Sequence, residues 1–315
     1  MDFVLTLHSH LPWVLHHGRW PHGSDWLCEA AMDTYLPLLE VLDRLEREGT
    51  RAPLTIGVTP VLANQLAHPD FATELAAFVA QRLEACDEAE SDLEVSGETH
   101  LVPVTQFWRA RLGRLRSRLE QGEDGIIGML ARHARAGRIE LISSAATHGF
   151  LPLLRRAESV HLQLRLGRRE HRRIFGVDAA GCWLPECAYR AGLEQAVRDA
   201  GFGFFFVDAH MAKAGRSLGL YGERDFVDGR REPEEAPLDV AHPRSPYRAY
   251  ELRPGTGAPV VAFVRDPTSS MRVWSRHHGY PGDEAYLEFH KIRWPGGLKL
   301  WRVTDPHMDL GGKQA

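Results

Sequence analysis

The sequence predicts an α/β barrel, and three observations carry that prediction. Short apolar runs recur along the 315 residues with helical patterns between them, and strands alternating with helices build parallel sheets. Polar, reactive residue types follow each run: His8 and His10, Thr147 and His148, Glu186, Asp208 and His210, Arg265 and Asp266. Strand ends converging on one mouth are how a β/α barrel builds its site, which favours a barrel over an open sheet. Hydrophobic content of 43% and charged content of 25% suit a globular chain large enough to bury a substantial core.

Phe3 to Leu7 reads as a first buried strand ending at His8. Asp25 to Glu48 places Ala31, Tyr35, Leu38, Leu39, Leu42 and Leu45 at helical spacing, and Gly49 supplies a stop. Leu54 to Val58 is a second strand, broken by Thr59-Pro60. Residues 61 to 136 are too long for one crossover and read as an insertion of several helices. Further strands are expected at Arg138–Ser143, Gly181–Leu184, Phe202–Val207 and Pro259–Val264. Residues 213 to 257, rich in Gly, Pro, Arg and Glu without a clean period, are expected to form a mobile loop over the mouth.

Composition removes several classes. A net charge of −4 gives no electrostatic reason to bind nucleic acid or an anionic membrane. The arginines at 165, 168, 169, 172 and 173 lie in a helical pattern and read as a solvated outer face. Met1 to Leu5 lacks the basic start and cleavage site of a secretion signal, and no apolar run reaches membrane-spanning length. Four cysteines do not make a disulfide scaffold, so a cytoplasmic setting is expected. Cys182 and Cys187 read as small packing residues rather than zinc ligands. No cofactor is expected, and oligomeric state is not legible.

The most pointed local pattern is Gly181-Cys182-Trp183-Leu184-Pro185-Glu186-Cys187-Ala188-Tyr189-Arg190. A carboxylate at the end of an apolar strand follows a backbone-fixing proline. Trp183 and Tyr189 offer flat amphipathic faces, and Arg190 can hold an anion ionised. That is how a nucleophilic or acid/base carboxylate would be presented to a sugar ring. Glycosidic cleavage ordinarily uses two such groups.

Several stretches together resemble glycoside hydrolase family 57, and within it the glycogen (1,4-α-glucan) branching enzymes. His8-Ser9-His10-Leu11-Pro12-Trp13 is similar to the family's first motif. Gly137 to Ile142 leading into Ala146-Thr147-His148-Gly149 is similar to the second, and Cys182 to Arg190 to the third. Phe206 to His210, Arg265 to Pro267, Val273-Trp274-Ser275, Gly279 to Gly282 and Leu300 to Thr304 add to the likeness in chain order.

The resemblance implies an incomplete (β/α)7 TIM-like barrel and a retaining α-glucan transferase of glycogen biosynthesis with Glu186 as nucleophile. It also implies an α-glucan partner of the amylose or glycogen type. His8, His10 and His148 would contact hydroxyls of the sugar being cleaved. Trp183, Asp208, His210 and Arg265 would line the site, and Trp274 would stack on a glucose ring, with a core position as the competing reading. Tyr247 or Tyr250 could help exclude water. Family members continue past this chain's last residue into a segment with the acid/base aspartate, the last barrel strand and a helical domain. The chain therefore reads as truncated, with impaired activity and poor solubility expected.

Two other readings use the same residues. His8-x-His10 with His148, Asp208 and His210 is also how an amidohydrolase or polysaccharide-deacetylase barrel collects a divalent metal. Such a barrel has no need of the Trp-Leu-Pro-Glu turn. A non-catalytic glucan-binding protein would keep the sugar contacts and dispense with a second carboxylate.

Overall fold

The computed structural model describes residues 3–20, 22–50, 54–121, 125–209, 211, 245–275 and 277–304. Its most enclosed long strand is β2, Leu54–Val58, which is buried at every position. A strand covered on both faces reads as a continuous apolar run, and it belongs in a parallel sheet. β1 (Leu5–Ser9), β3 (Ile139–Ser144), β4 (Gly181–Trp183), β5 (Phe204–Val207) and β7 (Val260–Val264) run parallel with it. β6 (Ala249–Leu252) pairs antiparallel with β7, which makes the order β1-β2-β3-β4-β5-β7-β6.

The sheet curls. In a flat sheet β1 and β4 would lie about 14 Å apart, three strand spacings. Yet the rings of His8 from β1 and Trp183 from β4 stack with centroids 4.5 Å apart. Only a sheet wrapping towards a barrel brings those side chains together, so the carboxyl ends of its strands share one mouth.

Helices cover the outer face. α1 (Ser24–Ala30) and α2 (Leu36–Arg47) are joined without a break by one π-helical turn, Ala31–Tyr35. α3 (Pro60–Leu66), α4 (Pro69–Ser96), α5 (Val102–Gln121) and α6 (Gly125–Arg135) follow between β2 and β3. Their starts are chemically explicit: Thr59 accepts from the Leu62 N–H and His68 from the Asp70 N–H, each followed by a proline at the first helical position. α7 (Ala157–Phe175) and α8 (Leu193–Asp199) cover β4, β5 and β7 through Val160, Leu164, Ala196, Val197 and Phe205. α9 is Pro267–Trp274, capped by Asp266.

Two expectations need revision: β1, expected to be buried, is an edge strand buried at none of its positions, with Phe3, Val4 and Leu5 exposed. Residues 213–244 of the anticipated mouth loop lie outside the described residues, but Ala249–Leu252 is a strand rather than loop. It forms because Val260–Phe263 offers a free edge directly after a short connection, and an antiparallel partner satisfies its backbone. Arg-flanked and only four residues long, it carries too little apolar periodicity to stand out in sequence.

Candidate active site

Two imidazoles come from one strand end and a third from the strand two places along. His8 and His10 lie two residues apart, so they share a face of the chain. Both stack on His148, with centroids 5.1 and 4.0 Å away. His8 reaches that position by crossing β2 at Gly57, its partner in register. A Cβ on Gly57 would stand 3.1 Å from His8 Nδ1, so the glycine leaves the gap through which the ring passes. Beyond His8 the stack continues through Trp183 to Phe206 at 5.4 Å and Phe263 at 5.8 Å. The inner face is thus an aromatic floor spanning β1, β4, β5 and β7.

Burial governs the charge of the imidazoles. It pushes His148 down to about 3, with His10 adding repulsion, and His8 down to about 2, with His148, His10 and Arg265 adding to it. His10 is lowered for the same first reason. All three rings are therefore neutral near pH 7.

The tautomer of His148 follows from Ser144, which is fully buried. The Ser144 hydroxyl donates to the Trp183 carbonyl at 2.7 Å and lies 3.0 Å from His148 Nδ1. One hydroxyl has one proton, so Nδ1 must carry its own and donate to Ser144 Oγ. His148 Nε2 is left as an acceptor, and it faces Glu186 Oε1 at 3.8 Å.

Glu186 owes its presentation to its neighbours. The Cys187 N–H closes back on the Leu184 carbonyl at 2.8 Å and the Ala188 N–H on Pro185 at 3.1 Å. Leu184, Pro185 and Cys187 are buried, whereas the Glu186 side chain is 72% exposed. The tight turn forces Glu186 and Cys187 to φ 54° and 52°, and His148 also holds φ 56°. Left-handed backbone costs a non-glycine residue of order 1–3 kcal/mol, and such strain concentrates at functional sites.

Arg265 closes the far side. Its guanidinium lies 5.5 Å over the Trp183 ring, donates to Asp208 Oδ1 at 2.7 Å and approaches Cys187 Sγ at 3.8 Å. His8, His10, His148, Trp183, Glu186, Asp208 and Arg265 are thus joined through direct contacts.

Other candidates stand apart. His210 lies outside the described residues. Trp274 is on α9 with 61% of its surface exposed, and among the described residues no ring contact joins it to the stack. Tyr189 turns its hydroxyl to Glu194 of α8 at 2.7 Å and stacks on Phe205, so its face serves packing against β5. Arg190 forms no ion pair with Glu186; the group facing that carboxylate is the neutral His148 ring. Tyr250 donates to the Ser245 carbonyl at 2.7 Å, and Tyr247 is exposed.

Among the described residues, His8, His10, His148 and Asp208 form no three-donor set that would carry the metal-barrel reading. Rings stacked face on face hold their nitrogens in near-parallel planes rather than aiming them at one point. Among the described residues, the sets of three donors close enough to share a cation are His16, His68, Asp70 and Asp43, Glu46, His133.

Ser144, Gly57 and Thr59, whose hydroxyl lies 3.2 Å from His10 Nδ1, were not assigned to the site from sequence. Only Gly57 carried a signal, a glycine inside an apolar strand pattern.

The profile of glycosyl hydrolase family 57 matches residues 4–291. The chain belongs to that family. A 1,4-alpha-glucan branching enzyme of Thermococcus kodakarensis is 33% identical across 99% of this chain and 45% of its own length. The crystal structure of that family 57 protein, in complex with glucose, superposes with a TM-score of 0.79 over 96% of this chain and 54% of that one. A family 57 branching enzyme from Pyrococcus horikoshii also superposes at 0.79 with 33% identity, over 95% of this chain and 53% of that one. The alpha-amylase AmyC of Thermotoga maritima superposes at 0.73 with 27% identity, over 92% and 50%. This chain spans about half the length of the curated relatives it matches. No helix among the described residues is long and apolar enough to cross a membrane.

Proposed function

We propose that the chain provides the donor-sugar side of a retaining 1,4-alpha-glucan branching enzyme, with Glu186 as nucleophile. The observation that supports this most directly is the carboxylate extruded from a strained turn to face an acceptor nitrogen of His148. Glu186 attacks the anomeric carbon of an α-1,4-linked glucosyl unit, and the bond to the leaving O4 breaks as O4 takes a proton from a second carboxyl. A 6-hydroxyl of the acceptor glucan then attacks the glycosyl ester, gives its proton to that second carboxylate and releases Glu186, leaving an α-1,6 branch.

His8, His10 and His148, being neutral, can accept from and donate to sugar hydroxyls. Trp183, held between His8, Phe206 and Arg265, backs the sugar-contacting imidazoles as the floor of the site. Asp208, engaged by Arg265, lines the pocket beside the nucleophile rather than acting as the proton donor. Trp274 offers its exposed ring to a glucan strand further out.

The test separates the nucleophile from the acid. A 5-fluoro-α-glucosyl fluoride expels fluoride without a proton donor, so it needs only the attacking carboxylate. The 315-residue chain should become labelled on the peptide containing Glu186, and E186Q should not. Labelling elsewhere, or equal labelling of E186Q, would remove Glu186 from the role. On amylose, α-1,6 branches, new reducing ends and binding without either distinguish transferase, amylase and binding protein.

A further inference from the structure

The segment after β1 and the start of α4 place three metal-binding side chains together. His16 Nε2 lies 2.7 Å from Asp70 Oδ2, and His68 Nδ1 lies 3.7 Å from the same oxygen. One donor atom from each of the three residues falls within 4.8 Å of the others. Zinc held by imidazole and carboxylate at about 2.0–2.2 Å in a tetrahedron sets its ligands about 3.4 Å apart. The observed separations bracket that value, so rotations of side chains at the surface would complete the site.

The second three-donor set shows what an unsuitable cluster looks like. Asp43 is bonded to Arg118 and Arg132, and Glu46 to Arg132 and Arg138, so three guanidinium groups already neutralise the carboxylates and would repel a cation. Asp70 is different. Among the described residues its ion-pair partners are two imidazoles and no arginine or lysine.

The backbone and neighbouring rings aim the donors. His16 holds φ 67°, a left-handed conformation that turns its side chain back towards α4. Its ring meets that of His68 edge to face at 5.5 Å, and Trp13 packs against the other ring at 6.2 Å and 88°. His68 accepts the Asp70 N–H at Nδ1, so that nitrogen carries no proton, and ligation there would exchange this helix-capping hydrogen bond for the metal.

We propose that His16, His68 and Asp70 form a zinc site with the remaining coordination position open to water. A bound ion would clamp the segment that carries Leu11, Pro12 and Trp13 out of the catalytic strand to the start of α4. Two imidazoles and one carboxylate suit zinc over magnesium, which prefers all-oxygen surroundings. The proposal does not depend on the glucan chemistry.

The experiment is titration of chelator-treated protein with zinc chloride by calorimetry, with magnesium chloride as a parallel arm and thermal unfolding as a second readout. One zinc per chain, a rise in unfolding temperature with zinc, and no heat with magnesium are expected. His16→Asn keeps a residue tolerant of left-handed backbone and should weaken zinc binding about tenfold or more. His100→Asn, at an exposed histidine elsewhere, should leave it unchanged. Absence of a one-to-one zinc isotherm, or equal affinity in His16→Asn and the parent protein, overturns the site.

Discussion

His148 and Glu186 face each other with Nε2 and Oε1 3.8 Å apart, and both hold left-handed backbone, at φ 56° and 54°. With the proton of His148 fixed on Nδ1 by Ser144, this is an acceptor opposite an acceptor rather than an ion pair. A ligand hydroxyl fits between them as the donor both lack. Sugar hydroxyls are that kind of donor, which is why the pairing suits a carbohydrate better than an anion.

Ser144→Ala tests the tautomer directly. It frees His148 to move its proton to Nε2 and strips the Trp183 carbonyl of its donor, costing about 1–3 kcal/mol for an unpaired buried acceptor. The rate at which 5-fluoro-α-glucosyl fluoride labels Glu186 should fall roughly 100-fold, the order of a positioned catalytic hydrogen-bonding group. Nitrogen-15 shifts of His148 should report protonated Nδ1 in the parent and mixed tautomers in the variant. Unchanged shifts would remove Ser144 from this role.

Gly57→Ala should harm the site more than the fold. Its methyl group would meet His8 Nδ1 at 3.1 Å, and the ring is the more mobile of the two. Overpacking of this size costs about 1–3 kcal/mol. Denaturant unfolding should show a loss near the low end of that range, while labelling by the 5-fluoro-α-glucosyl fluoride slows because His8 no longer stacks on Trp183.

Stability should decline as pH falls below about 6.5. The folded values of His8 and His148 are depressed to about 2 and about 3, while the unfolded chain binds those protons near 6.5. Each neutral imidazole therefore contributes fully above pH 6.5, and its contribution is lost as pH drops towards the folded value. The slope is roughly 1.4 kcal/mol per pH unit for each group. Urea midpoints measured from pH 7 to 5 should fall steeply, and less so in His148→Gln.

Lys299 anchors the last described segment. Its ammonium contacts Glu29 at 2.6 Å and Asp33 at 3.1 Å and lies 4.3 Å over the Phe289 ring, while Trp108 donates to its carbonyl at 2.7 Å. Burial works to lower its pKa, but Asp33 and Glu29 more than offset that and hold it above the usual lysine value. Its stabilisation is thus complete below about pH 10.5 and disappears as pH rises through the folded value. Lys299→Met should cost about 3 kcal/mol, the low end for breaking a buried pair because both carboxylates keep some solvent contact. Chemical denaturation at pH 7 checks the size, and a smaller difference between variant and parent above pH 11 checks the sign.

The residue types and their order were enough to predict a parallel α/β sheet, polar strand ends and a carboxylate at 186, because apolar period and turn chemistry are local properties. The motif likeness was equally legible, and the family match over residues 4–291 agrees with it. Contact across the sheet was not. That His8 passes over Gly57 to meet Trp183, that Ser144 sets the proton on His148, and that Tyr189 packs on Phe205 of β5 all depend on how far the sheet curls and which strands become neighbours. Those are long-range facts: three strand spacings collapse to a ring contact only when the whole chain has folded, and no window of neighbouring residues contains them.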